Sequence, residues 1–356
     1  MLNQALTQWL EHNAQALDAG DGDPQQVLTQ LAQAGVLRVG ISPALGGSGG
    51  HVSDAVETLA AVASHSLAAA FVFWGQRAFI EYLLHSPNAA LREKLLPALL
   101  RGELAGATGL SNAMKYLSGI EALQVRAAHT AEGWTLNGRL HWVTNLRQSG
   151  FVVAAAIEHE EGGSPFVLAI ADDAAGVQRS ADLQLMGLQS SNTAAIDFAQ
   201  VAVGREWLLH EDARKFLPAV RPAFLGLQCG MAIGLARRAL AEVEGHLQDG
   251  RSILLEPLQE QREQLAQSVD ALKQGLHDGR FLTQPGALFQ IRIALAESAA
   301  NAVQLELQSS GGKAYLTEHG SGFARRWRES AFVPIVTPSL VQLRAELQRQ
   351  KRDATA

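Results

Sequence analysis

Residues 134–145 read Trp134-Thr135-Leu136-Asn137-Gly138-Arg139-Leu140-His141-Trp142-Val143-Thr144-Asn145, and the placing of this stretch decides the fold. Its aromatic and branched side chains suit a pleated, half-buried surface. Asn137-Gly138 in its middle is a hairpin signal, because both central positions of a two-residue turn take positive φ. A turn is therefore expected there. Further short strand candidates lie around it, at 123–127, 151–157, 165–170 and 193–198. Glu121 and Asp197 fall in strand contexts and are expected to face water.

Outside this region the texture is helical. Towards the N-terminus Val52, Val56, Leu59 and Val62 recur at helical spacing, 91–100 continues the pattern, and 60–70 is rich in alanine, which suits close packing. Gly and Pro interrupt it at 42–50 and at 86–88. Towards the C-terminus, after Pro222, four candidates of bundle length follow, at 225–247, 256–275, 285–310 and 339–349. The chain is thus read as an α+β multidomain protein. It has an N-terminal helical domain (1–104), a central β-barrel-like domain (105–212) and a C-terminal four-helix bundle (213–356). Such segregation of helix and strand is itself informative, since mixing along the chain is the commoner pattern.

Composition narrows the setting. The 356 residues are 47% hydrophobic and 18% charged, enough to bury a core without covalent staples. The single cysteine, Cys229, excludes intramolecular disulfides and cysteine metal clusters, and its apolar surroundings mark it as a buried spectator thiol. The first twenty residues carry no signal-peptide pattern, and no stretch reads as long enough to span a bilayer, so a cytoplasmic protein is expected. A formal charge of -6 gives no global attraction to nucleic acid. The basic cluster Arg325, Arg326 and Arg328 is local and reads as a solvated helix end.

The order of domains, together with Leu136-Asn137-Gly138 followed by Trp142-Val143-Thr144-Asn145, resembles the acyl-CoA dehydrogenase superfamily. The likeness extends through 186–193 and 197–203, through the small-residue helix segment 234–240, and through Gln308-Ser309-Ser310-Gly311-Gly312. It implies a homo-oligomeric flavoprotein, dimer or tetramer, with FAD as cofactor and FMN as the alternative. Trp142 would pack beside the flavin ring and the Thr144 hydroxyl would bond near N5; a hydroxyl can both donate and accept. Ser111 or Asn112 would meet the pyrimidine edge. Gln308, Gly311 and Gly312 would reach a neighbouring subunit's cofactor, and Arg251 would meet a phosphate. Trp74 falls where the family lines its acyl pocket. Read without the resemblance, Trp142 is a strand aromatic, Thr144 a turn residue, and Gly311-Gly312 a helix cap.

The sequence departs from the family at the catalytic base. Thr337 stands where the family's glutamate removes the α-proton of an acyl thioester, and the second known placement, on the first bundle helix, is occupied by Phe224. Glu318-His319 could lie near a flavin or form a surface turn. The expectation is a flavin-dependent oxidoreductase acting on a small substrate, a CoA thioester among the options. An electron-transfer flavoprotein or a flavin reductase would be its redox partner. A flavin monooxygenase or oxidase on the same fold is the alternative, with a catalytically silent flavoprotein as a third reading. No metal, nucleic-acid or membrane role is expected.

Overall fold

A computed structural model describes residues 2–247 and 252–355. Five helices come first: α1 (Gln4–Ala19), α2 (Pro24–Gln33), α3 (Val52–Ala63), α4 (Leu67–His85) and α5 (Ala89–Leu100). Each starts where the side chain of Asn3, Asp23, His51, Ser66 or Asn88 accepts a first-turn N–H, groups that otherwise lack helical partners. The helix α4 is the axis of this part, with all of 67–83 buried. Its two buried charges, Arg77 and Glu81, neutralise each other at 2.6 Å.

The middle of the chain runs β1 (Ala105–Thr108), α6 (Ser111–Leu117), β2 (Val125–His129), β3 (Gly133–Val143), β4 (Phe151–His159), β5 (Phe166–Ala171), β6 (Val177–Asp182), β7 (Ala194–Gly204) and β8 (Leu208–His210). The strands lie in the order β6-β7-β3-β2-β4-β5-β8, with β1 also paired to β4. The β1–β4 and β2–β4 pairings are parallel and the rest antiparallel, so the sheet is mixed.

The turn expected at Asn137-Gly138 is absent; both residues lie inside β3. The pair marks a bulge instead, where the register with β7 shifts between Leu136 and Gly138. Gly138 has φ 143 and lies hard against the carbonyl of Gln124, where a side chain would not fit. Asn137 Oδ1 meanwhile accepts from the backbone N–H of Gln200, itself at positive φ, at 3.0 Å. The chain reversal from β2 to β3 is made at 130–132, closed by the Thr130 N–H on the Gly133 carbonyl at 3.0 Å. Glu121 is in the loop before β2 rather than in a strand, whereas Asp197 pairs with Arg139 on the outside of the sheet.

The C-terminal region contains α7 (Ala213–Gly245), α8 (Leu255–His277), α9 (Pro285–Ser310), α10 (Ser321–Phe332) and α11 (Leu340–Thr355). The helix α7 begins twelve residues before the expected 225, capped by Asp212, and continues through Pro218 and Pro222. Burial of Phe216, Leu217, Val220 and Phe224 on its inner face outweighs the backbone bonds those prolines cannot make. At Gly230 and Gly234 it lies against α3, where added Cβ atoms would collide with the carbonyls of Val56 and Ala60.

Two expectations are overturned here. Both α4 and α7 are long and apolar enough by length and composition to cross a membrane; they are the buried central helices of the core. Arg325 and Arg326 are not a solvated helix end but are buried on α10. Arg325 pairs with Glu329 at 3.5 Å and Arg326 with Glu306, while Arg328 meets Asp18 at 2.6 Å. Asp18 on α1 and Glu306 on α9 meet α10 only through folding, whereas Glu329 stands one turn from Arg325 on α10 itself.

Candidate active site

A cavity of about 440 Å³ opens where α4, the start of α6, the end of β3, residues 185–193 and the chain after α10 converge. Its apolar walls are Phe71, Trp74, Phe332, Ile335 and Val336. Phe71 stacks on Trp74, with centroids 5.5 Å apart, and Phe332 meets Phe71 edge-on at 4.7 Å. The polar lining is mainly hydroxyls: Thr108, Ser111, Thr144, Thr193, Thr337 and Ser339. The size and the few convergent polar groups are those of a small-molecule site.

The hydroxyl wall is held from behind. Asn145, fully buried with φ 59, donates through Nδ2 to Gln76 Oε1 at 2.8 Å and to the Gly106 carbonyl at 2.9 Å. Gln76 Oε1 also accepts the Gly106 N–H at 2.6 Å, and its Nε2 donates to the carbonyls of Leu99 and Leu104. Two side-chain amides thus tie α4 to β1 and to the corner after β3. Thr144 precedes this anchor, so its backbone position is fixed. Its Oγ1 is 3.3 Å from Thr193 Oγ1, which in turn is 2.8 Å from Ser191 Oγ. Buried hydroxyls are commonly partnered in this way, with rotors still free to serve a ligand.

Charged groups at the cavity are cationic. Lys115 lies 3.3 Å from Glu121, and Arg328 is held by Asp18, whose other oxygen accepts the Leu188 N–H at 2.8 Å. Among the described residues no Asp or Glu lines the cavity.

The residues singled out from sequence divide into three groups. Ser111, Trp142, Thr144, Trp74 and Thr337 converge on this cavity. Trp142 is 61% exposed at its edge, whereas Trp74 is 2% exposed at its interior and donates from Nε1 to the Phe224 carbonyl at 3.2 Å. The Phe224 ring packs edge-on against Trp74, 5.0 Å away, and is not part of the lining. Asn112 is turned elsewhere: its amide donates to Glu121 and the Ala122 carbonyl, and its Oδ1 accepts from Gln124. Gln308, Gly311 and Gly312 are at the C-terminal end of α9, away from the cavity, where the Gly311 N–H caps the helix on Leu307. Arg251 lies outside the described residues. Glu318 and His319 form an exposed turn.

Sequence reading missed Phe71, Thr108, Thr193, Arg328 and the Gln76–Asn145 anchor. Thr193 closes the stretch 186–193 that carries part of the resemblance, and Arg328, in a local basic cluster, reads from sequence as a solvated charge. Cys229 is fully buried and burial pushes its thiol up to about 12, in keeping with a spectator.

Residues 1–103 match the family model described as acyl-CoA dehydrogenase, N-terminal domain. Among curated relatives, the probable acyl-CoA dehydrogenase YngJ of Bacillus subtilis is 23% identical over 329 residues, 86% of this chain and 85% of that protein. Mitochondrial isovaleryl-CoA dehydrogenase of Pongo abelii is 25% identical over 215 residues, 57% of this chain and half of that protein. Among solved structures, glutaryl-coenzyme A dehydrogenase in complex with glutaryl-CoA superposes with a TM-score of 0.85 at 17% identity, covering 98% of this chain and 95% of that one. KijD3, in complex with FMN and a dTDP-linked amino-keto sugar, superposes with a TM-score of 0.81 at 19% identity, covering 98% and 91%. Residues 1–103 thus carry the acyl-CoA dehydrogenase N-terminal domain, and the relatives and the fold liken the rest of the chain to the same superfamily.

Proposed function

We propose that the protein is an FAD-dependent oxidoreductase that holds a small substrate, an acyl-CoA or a related compound, in the cavity beside the flavin. The donor set fits such a group: hydroxyls on Ser111, Thr144 and Thr193 converge on an otherwise apolar chamber, and an exposed indole stands at its edge. Thr144 would serve the flavin's N5 region and Ser111 its pyrimidine edge, with Trp142 along the ring. Bound there, the flavin supplies hydride or oxygen chemistry, and the chain supplies orientation and electrostatics. The stacked Phe71 and Trp74 with Phe332 keep water from the inner cavity. FMN is the alternative cofactor, supported by its presence in KijD3.

The observation that carries the reaction class is the lining itself, which among the described residues holds hydroxyls and two cations but no carboxylate. Thr337 lines the cavity where a base would be needed, and a threonine hydroxyl is too weak a base at neutral pH to take a thioester α-proton. The geometry therefore favours redox chemistry that needs no carboxylate base. A monooxygenase or oxidase reaction on the same fold meets this requirement and is the second reading. The electron partner is an electron-transfer flavoprotein in the first case and a flavin reductase in the second. The protein works as a cytoplasmic homo-oligomer.

The test begins with the cofactor released from pure protein, expected to be FAD. Anaerobic mixing with butyryl- to dodecanoyl-CoA should leave the flavin colour almost unchanged, and photoreduced protein should take up oxygen. Rapid full bleaching with enoyl-CoA formed would show a base elsewhere and overturn the reaction class. A colourless protein that takes up neither FAD nor FMN would overturn the function.

A further inference from the structure

The wall of the cavity at 335–337 hangs on a buried cation. Arg292, on α9, is fully buried. Its Nη2 donates to the Val333 carbonyl at 2.7 Å and its Nε to Gln228 Oε1 at 3.3 Å. Gln228, on α7, passes the connection on by donating from Nε2 to the Thr337 carbonyl at 2.7 Å. The segment that ends α10 and forms part of the cavity is thereby clamped at both ends by one side chain and its relay.

What matters at this wall is the charge of Arg292. Of the other buried arginines, Arg77, Arg325 and Arg326 each face a glutamate, and Arg147, like Arg292, donates only to neutral oxygens, the carbonyls of Gly102 and Gln25, but none of its partners lines the cavity. Arg292 has only oxygens of neutral groups, and its Nη1 has no hydrogen-bond partner. The one titratable neighbour that bears on it is Cys229, and burial pulls the guanidinium's pKa down with no carboxylate to oppose it. A buried ion normally requires a counter-ion, because desolvation outweighs its hydrogen bonds. Uncompensated charge in a weakly screening interior acts on whatever lies nearby. The functional surface joined to Arg292 by hydrogen bonds is the cavity wall at 335–337, through Val333 and Gln228.

We infer that Arg292 is an electropositive positioning residue of the site, clamping 333–337 through Val333 and Gln228 and favouring anionic over neutral occupants of the cavity. This rests on the flavin reading above, since the occupant that gains negative charge on reduction is the flavin.

The experiment uses FAD-loaded protein equilibrated anaerobically with a redox dye of known potential. Gln228→Glu sets a carboxylate against Arg292 and keeps the clamp on Val333 but ends the Nε2 bond to the Thr337 carbonyl; Gln228→Met, which ends that bond without adding charge, is its control and should leave the ratio of reduced to oxidised flavin unchanged. Gln228→Glu should lower that ratio by about tenfold at fixed dye potential, which is about 30 mV for a two-electron couple. Arg292→Met should do the same, and Arg292→Lys, which keeps the charge, should not. Should Arg292→Met fail to fold, Gln228→Glu and Arg292→Lys decide the matter between them. An unchanged ratio in flavin-loaded Gln228→Glu would overturn the inference and leave the flavin reading standing. A fall in Arg292→Lys as large as in Gln228→Glu would also overturn it, showing a clamp without an electrostatic part. A wild type that takes up no flavin would overturn the proposed function, and the inference with it.

Discussion

Replacing Asn145 by alanine should cost far more than the loss of a small polar side chain suggests. In the folded protein both edge groups of Gly106 on β1 are met by side chains, its N–H by Gln76 Oε1 and its carbonyl by Asn145 Nδ2. Asn145→Ala removes the second of these and leaves a buried carbonyl unpaired, at roughly 1–3 kcal/mol. It also asks alanine to hold φ 59, a conformation that asparagine tolerates better than alanine and that adds about 1 kcal/mol. The sum is about 3 kcal/mol, a large part of the roughly 5–15 kcal/mol typical of a folded domain. Asn145→Gly loses the same hydrogen bonds but not the backbone term, so it should be the milder change by about 1 kcal/mol. Urea unfolding followed by tryptophan fluorescence reads both numbers as shifts of midpoint at constant slope. If Asn145→Ala loses less than about 1 kcal/mol, the amide anchor is not what holds the Thr144 corner and the reasoning fails.

Two other consequences follow from the same structure. Thr144→Val keeps the shape of the wall but removes the hydroxyl from the Thr144–Thr193–Ser191 chain, so flavin content after dialysis should fall or the reduction potential should move; equal flavin content and potential would remove Thr144 from the site. Burial raises the pKa of Glu329 above its ordinary 4.5, more than Arg325 and the Leu67 N–H lower it. A raised carboxylate contributes stability that is lost as pH climbs through its folded-state value. Wild type should therefore lose stability relative to Glu329→Gln as pH rises above 4.5, measured by urea midpoints across that range, and parallel curves would refute it.

The three-part layout could be read from the chain because helix and strand periodicities are local properties. The same holds for the convergence of Ser111, Trp142, Thr144 and Thr337 only by way of a resemblance, since no local rule joins positions more than two hundred residues apart. Local rules failed where a distant partner changed their meaning. Asn137-Gly138 carries turn chemistry, but Gln200 and Gln124 across the sheet use it for a bulge. Pro222 should end a helix, yet the apolar face of α7 carries the helix past it. Arg325 and Arg326 look solvated until packing buries α10 and α9 brings Glu306 to Arg326; the Arg325–Glu329 pair, one turn apart on α10, is local. The sequence shows no carboxylate at 337; that no other described residue brings one into the cavity is visible only in the folded arrangement.

The contact of α3 with α7 at Gly230 and Gly234 bears on how the molecule comes apart. Backbone meets backbone there, between a helix of the first hundred residues and one that begins beyond residue 210. The segment that matches the N-terminal family model ends at residue 103, but the core it helps to form does not. Cut off at that point, α3 and α4 would present to water the faces that α7 now covers. The segment shares its core with the rest of the chain, so hydrogen exchange should show α3, α4 and α7 opening together, at a single free energy.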